Sequence, residues 1–106
     1  MAQKIGIGLS VSSVYLLQEL KTCNFVDDIS ISSKALSKLE NKPQGLIEGS
    51  IREVIASYWR KGSIFYFIGS IGAVVRLISP FLTNKESDPA VLVLDSKGRN
   101  VVPVLG

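Results

Sequence analysis

Apolar and polar positions along this chain follow two periods, and the switch between them marks the elements. From residue 4 to 9, Ile5, Ile7 and Leu9 alternate with small residues, which predicts a strand with one apolar face. Val11, Val14, Leu17 and Leu20 recur at near-helical spacing, so a helix is predicted over residues 11–21 with Ser10 as its N-cap. Residues 24–28 read as a turn and 29–32 as a short alternating strand. Residues 34–44 are polar and read as a surface connector with one helical turn near Ala35.

The second half is more strongly patterned. Ser50-Ile51-Arg52-Glu53 has the spacing of a capping box. It opens a helix predicted to run to Lys61, where Gly62 supplies a left-handed stop. Ile51, Val54, Ile55, Tyr58 and Trp59 form its core face, with ligand stacking as the alternative role for Trp59. Ser63–Ile68 is almost continuously apolar, as a strand covered on both faces should be. Gly69-Ser70-Ile71-Gly72 turns the chain into a helix with Ile71, Val74, Val75, Ile78 and Leu82 as its apolar face and Gly72, Arg76 and Ser79 as a small, polar line. After a loop over 85–89, Ala90–Leu94 is a second buried strand. Asp95-Ser96-Lys97-Gly98 is a hairpin-type turn, and residues 99–105 return as an edge strand bearing Pro103. The expected fold is a single α/β domain over 1–106: a three-layer α/β/α open sheet, mostly parallel, with an antiparallel C-terminal hairpin.

Composition narrows the function classes. The 106 residues are 46% hydrophobic and 20% charged, a globular balance. The net charge of +3 is scattered, with Arg60-Lys61 the one adjacent basic pair, so a nucleic-acid partner is not expected. One cysteine, Cys23, rules out a disulfide within the chain and suits the cytoplasm. Without histidine there is neither the usual neutral-pH proton shuttle nor a basis for a zinc site, so no metal site is expected. Residues 64–82 approach the length of a membrane span, but Arg76 inside them would cost about 2.5–3.5 kcal/mol on insertion. Gly69, Gly72 and Pro80 also interrupt them, so no membrane partner is expected. Gly6 and Gly8 precede a helix, but Leu9-Ser10-Val11 stands where a dinucleotide fingerprint needs its third glycine.

Candidate chemistry gathers in the second half. Ligands of open α/β sheets collect at the carboxyl ends of strands, and a helix N-terminus favours anions. Arg76, among apolar residues, calls for a carboxylate. An internal pair with Asp88 or Asp95 satisfies that need, and so does a carboxylate-bearing ligand.

The segments Ser70-Ile71-Gly72-Ala73-Val74-Val75-Arg76-Leu77-Ile78-Ser79-Pro80, Lys85-Glu86-Ser87-Asp88-Pro89-Ala90-Val91 and Asp95-Ser96-Lys97-Gly98-Arg99 together resemble the N-terminal domain of the cobalamin-biosynthesis family CbiG. That family's pattern runs A-x-G-I-x-V-R-x-x-x-P, then K-x-x-D-P-A-V-x-x-x-D, then a glycine turn and a strand ending in S-G-H. Ser70 replaces the family's alanine and Ala73 its isoleucine, and Pro103 departs from the last strand. The chain stops at Gly106, where the family's Gly-His segment should begin, so it reads as a fragment of a longer protein. The resemblance implies a role on cobalt-precorrin-5A: hydrolytic opening of its δ-lactone with loss of acetaldehyde. Cobalt would arrive within the corrinoid substrate and no separate cofactor is implied. The partners implied are that corrinoid and the remaining domains of the protein, with a homodimer left open. Lactone opening needs a base and donors for an oxyanion. Asp88 and Asp95 are the expected catalytic acids, and Ser70, Gly72, Arg76 and Lys85 the expected substrate-binding residues. The alternative is a non-catalytic binding or scaffold domain fused to a precorrin-3B C17-methyltransferase. The fragment alone is expected to be inactive.

Overall fold

The structure, a computed structural model, describes residues 3–106. Five strands form one sheet in the order β2-β1-β3-β4-β5. They are β1 Gln3–Gly8, β2 Asp28–Ile31, β3 Ser63–Ile68, β4 Ala90–Leu94 and β5 Val101–Leu105. The first four are parallel, and β5 runs antiparallel to β4. The helices are α1 Val14–Thr22, α2 Ser33–Leu36, α3 Ile51–Tyr58 and α4 Ile71–Ile78. This is the mixed α/β sheet the periodicity predicts.

Alternation within the strands sorts the core into two layers. Ile5 and Ile7, Phe65 and Phe67, and Val91 and Val93 face α3 and α4, where they pack on Val54, Ile55, Val74 and Ile78. The opposite face packs Ile29, Ile31, Ile68 and Leu94 against Val14 and Leu17 of α1. Glycine at 8 has a steric cause here: a Cβ on Gly8 would lie 2.5 Å from the Ser13 hydroxyl, so α1 can approach β1 only over a bare backbone.

Several boundaries differ from expectation. A 3-10 turn, Val11–Ser13, precedes α1, and Val11 is exposed. Ser10 Oγ bonds the Ser12 hydroxyl, and it is Ser13 Oγ that donates back to the Ser10 carbonyl. The helical turn expected near Ala35 forms as α2, and just past the connector Leu46 lies beside Ile29 as a parallel bridge, with Ile47 N donating to Ile29 O, at the outer edge of β2 that is otherwise unpaired. The Ser50 capping box forms as predicted: Ser50 Oγ accepts from Glu53 N, and Glu53 Oε1 accepts from Ser50 N. However, α3 ends at Tyr58, not Lys61. Trp59 turns extended, packs its ring 5.7 Å from Phe65 and 5.8 Å from Phe81, and donates Nε1–H to Asp88. Trp59 is thus a core residue with a satisfied polar tip.

Candidate functional site

The strand order places a topological switch between β1 and β3: the chain leaves β1 towards β2 on one side and leaves β3 towards β4 on the other. Sheets of this order bind ligands in the crevice that such a divergence opens at the carboxyl ends of the strands. At this edge Leu9 N donates to Ile68 O, and Gly69 N donates to Leu94 O, so the loops after β1, β3 and β4 are tied together. A Cβ on Gly69 would approach Leu9 Cδ1 to 3.0 Å, which accounts for glycine at that turn.

Ser70 caps α4, its Oγ accepting from Ala73 N at 3.2 Å. Among the described residues the amides of Ile71 and Gly72 find no acceptor, as the first turn of a helix leaves them. Gly72 is exposed, and a Cβ there would meet nothing nearer than the Arg76 guanidinium at 3.7 Å, so packing does not require glycine at this position. Arg76, one turn along, is exposed and donates Nε–H to Gly72 O at 3.4 Å. Among the described residues one ion pair forms, Lys21 with Asp28, so Arg76 pairs with neither Asp88 nor Asp95. The apolar face expected for α4 is buried only along Val74 and Ile78. Ile71 and Val75 are 46% and 43% exposed and flank Arg76 on the open side of the helix, and Leu82 beyond it is exposed too.

The expected acids lie at opposite ends of β4. Pro89 and the five residues of β4 lie between them, so at about 3.3 Å per residue their backbones are roughly 20 Å apart. Asp95 shares the carboxyl edge with Ser70 and Gly72. Its carboxylate accepts from the amides of Lys97, Arg99 and Asn100 and from Asn100 Nδ2, which shapes the hairpin turn. The Arg99 amide foremost, then the Asn100 side chain, holds its carboxyl below the usual aspartate range. Asp88 lies at the amino edge with Lys85. Thr83 Oγ1 foremost, with the Thr83 amide and the Trp59 indole, holds its carboxyl low in the same way. The six expected site residues therefore divide: Ser70, Gly72, Arg76 and Asp95 stand at one edge, Lys85 and Asp88 at the other.

Both carboxyls are lowered in the folded state, so the stability they contribute is present above the unfolded value near 3.9 and is lost as pH falls through the lower folded values. Melting curves from pH 6 to pH 2 should show a steep acid limb that flattens in an Asp88→Asn/Asp95→Asn protein. Equal slopes would mean that other groups carry the acid sensitivity.

Sequence reading missed the loop after β1. Ser10 and Ser12 are exposed in that loop, their hydroxyls 3.0 Å apart, next in sequence to Leu9, which packs at Gly69. The available signal was a glycine-alternating strand followed by a serine cluster, which was weighed as a dinucleotide fingerprint lacking its third glycine and otherwise read as a cap. No three His, Cys, Asp or Glu side chains gather as a metal site among the described residues. Nor is any described helix long and apolar enough to cross a membrane.

Comparison with known proteins bears on the same stretch. The family described as cobalamin synthesis G N-terminal matches residues 53–106, about half the chain. A cobalt-precorrin-5A hydrolase of Priestia megaterium is 45% identical over 60 residues, 57% of this chain and 16% of that protein. A cobalt-precorrin-5A hydrolase of Salmonella typhimurium is 46% identical over 39 residues, 37% of this chain and 11% of the relative. The chain thus spans less than a fifth of either relative. A crystal structure of a cobalamin biosynthesis protein G homolog from Sulfolobus solfataricus shares the fold, with a TM-score of 0.65, 18% identity and coverage of 98% of this chain and 29% of that one. The matched residues carry β3, the Gly69–Gly72 turn, α4 and the C-terminal hairpin, and the chain belongs to the cobalamin synthesis G N-terminal family.

Proposed function

We propose that this domain is the substrate-holding part of a cobalt-precorrin-5A hydrolase, the longer enzyme opening the δ-lactone with loss of acetaldehyde. The observation that carries the reading is Arg76: an exposed guanidinium with no carboxylate partner among the described residues, between exposed Ile71 and Val75, one turn from two amides that find no acceptor among those residues. A corrinoid presents an apolar macrocycle rimmed with carboxylates. The ridge of Ile71 and Val75 suits the ring, and the guanidinium and the α4 amides suit the carboxylates. Ser70 and Gly72 set this turn, one as the cap and the other by leaving the backbone open. Cobalt enters within the substrate, and the domain needs no cofactor of its own.

The engaged carboxylates favour a binding role over a catalytic one. A group held as an ionised acceptor by several donors is a poor proton acceptor at neutral pH, and this describes both Asp88 and Asp95. Asp95 is the expected acid that shares the edge with Arg76. The base that activates water comes, on this reading, from the remaining domains of the longer protein. The exposed free thiol of Cys23 suits the reducing cytoplasm.

Titrating the 106-residue chain with a cobalt corrinoid bearing free acetate and propionate groups, by calorimetry, tests the proposal. Binding should be saturable and about tenfold or more weaker in Arg76→Ala, the worth of one hydrogen-bonded charge. Binding that Arg76→Ala leaves unchanged, or no binding to the folded chain, overturns it.

A further inference from the structure

The carboxyl edge of the sheet is largely of one sign. The segments that leave the four parallel strands there are residues 9–13, 32–36, 69–76 and 95–100. They hold four basic residues, Lys34, Arg76, Lys97 and Arg99, against one acid, Asp95. The rest of the chain is balanced, with eight basic and eight acidic residues out of totals of 12 and 9, so the whole net charge of +3 sits at this edge. All four cations are exposed, and none has an ion-pair partner among the described residues. Like charge gathered in one place repels itself, a cost that an anionic ligand offsets.

The β4–β5 turn shows how two of these charges stay free. Asp95 lies two and four residues from them, yet its carboxylate accepts from the backbone amides of Lys97 and Arg99 and pairs with neither side chain. Gly98 N donates to the Asp95 carbonyl, and a Cβ on Gly98 would meet Leu16 Cδ2 at 3.4 Å, so the turn is closed from within and rests on α1. The backbone is thus held while the Lys97 and Arg99 side chains stand in solvent. The end of β3 is tied to the end of β4 through Gly69 N and Leu94 O, which keeps this turn beside the start of α4. We propose that Lys97 and Arg99, with Lys34 on the other side of the switch, form a basic rim that draws a ligand bearing several carboxylates onto the Arg76 surface. They are positioning residues: the rim acts through its field on capture, and Arg76 holds what is captured. Their role rests on the corrinoid reading of that surface, since a corrinoid presents several carboxylates.

Stopped-flow mixing of the 106-residue chain with a cobalt corrinoid bearing free acetate and propionate groups separates capture from retention. Lys97→Gln/Arg99→Gln should slow association about tenfold at low salt and leave dissociation nearly unchanged, the signature of steering by rim charge. The difference should shrink as salt rises, because the Debye length falls to about 8 Å at physiological ionic strength. Lys97→Arg/Arg99→Lys should restore the rate. Arg60→Gln/Lys61→Gln removes the same charge at the amino edge and should leave association unchanged. Arg76→Ala should act mainly by speeding dissociation. Equal slowing by the two double neutralisations would show that net charge acts and its placement does not. A wild-type rate and salt dependence in Lys97→Gln/Arg99→Gln would show that the turn does not steer. Either result overturns the proposal while the Arg76 effect stands, whereas a folded wild-type chain that binds no corrinoid overturns the corrinoid reading and the rim with it.

Discussion

Phe67→Ala is expected to cost the domain about 3–5 kcal/mol, the cost of truncating a fully buried aromatic side chain. Phe67 has no exposure and lies in the central strand, in register with Ile7 on β1 and Val93 on β4. Its ring stacks on Phe65 at 5.9 Å with 22° between planes. The same core cluster contains Val74 and Ile78, the two buried residues of α4. Removing the ring opens a cavity under the helix that displays Arg76. A single domain holds only about 5–15 kcal/mol in total, so the loss takes a large share of it. Phe67→Leu, which keeps most of the volume, should cost less than about 1.5 kcal/mol. Urea unfolding of the three proteins measures both numbers. If alanine cost no more than leucine, the site would not be packed as described.

Gly8→Ala should destabilise the domain by about 1–3 kcal/mol, the range for overpacking a filled core. The added methyl would stand 2.5 Å from Ser13 Oγ and 3.2 Å from Leu17 Cδ2, and Ser13 is itself fully buried. Ser13→Ala alone removes the bond from its hydroxyl to the Ser10 carbonyl and should cost about 1 kcal/mol. In the Gly8→Ala background the same change removes the nearest clash, so it should restore stability instead. The two substitutions should therefore couple by about 1 kcal/mol or more in a double-mutant cycle, read from denaturant unfolding of four proteins. Additive losses would show that α1 shifts as a body and that the hydroxyl is not the obstacle. The outcome bears on function because this contact sets the β1 side of the switch crevice.

Features that depend on a few neighbouring residues were legible in the chain. Ser50 to Glu53 forms the predicted capping box because both of its bonds close within one turn. Ser63–Ile68 and Ala90–Leu94 are strands as their apolar runs predict, and the Asp95 turn returns β5 antiparallel. Readings that needed distant partners went astray. Helix α3 stops at Tyr58 because Trp59 is drawn to Asp88, a partner 29 residues away in sequence. Ile71 and Val75 have core periodicity, yet α4 sets only the line of Val74 and Ile78 into the sheet, and the width of that contact is set by the strands beneath it.

The amino-acid sequence alone determined the element order, the mixed sheet and the family resemblance, because periodicity, caps and turn residues act over short spans of chain. Tertiary structure alone decided which candidate residues share a site. It set Asp88 and Asp95 at opposite ends of one strand, filled their oxygens with loop donors, and left Arg76 without either of them. It also tied the loop after β1 to the end of β3, through the Leu9 amide and the Ile68 carbonyl. The physical reason is that a parallel sheet gathers loops by strand order and strand end, and neither is written in the spacing of any single motif.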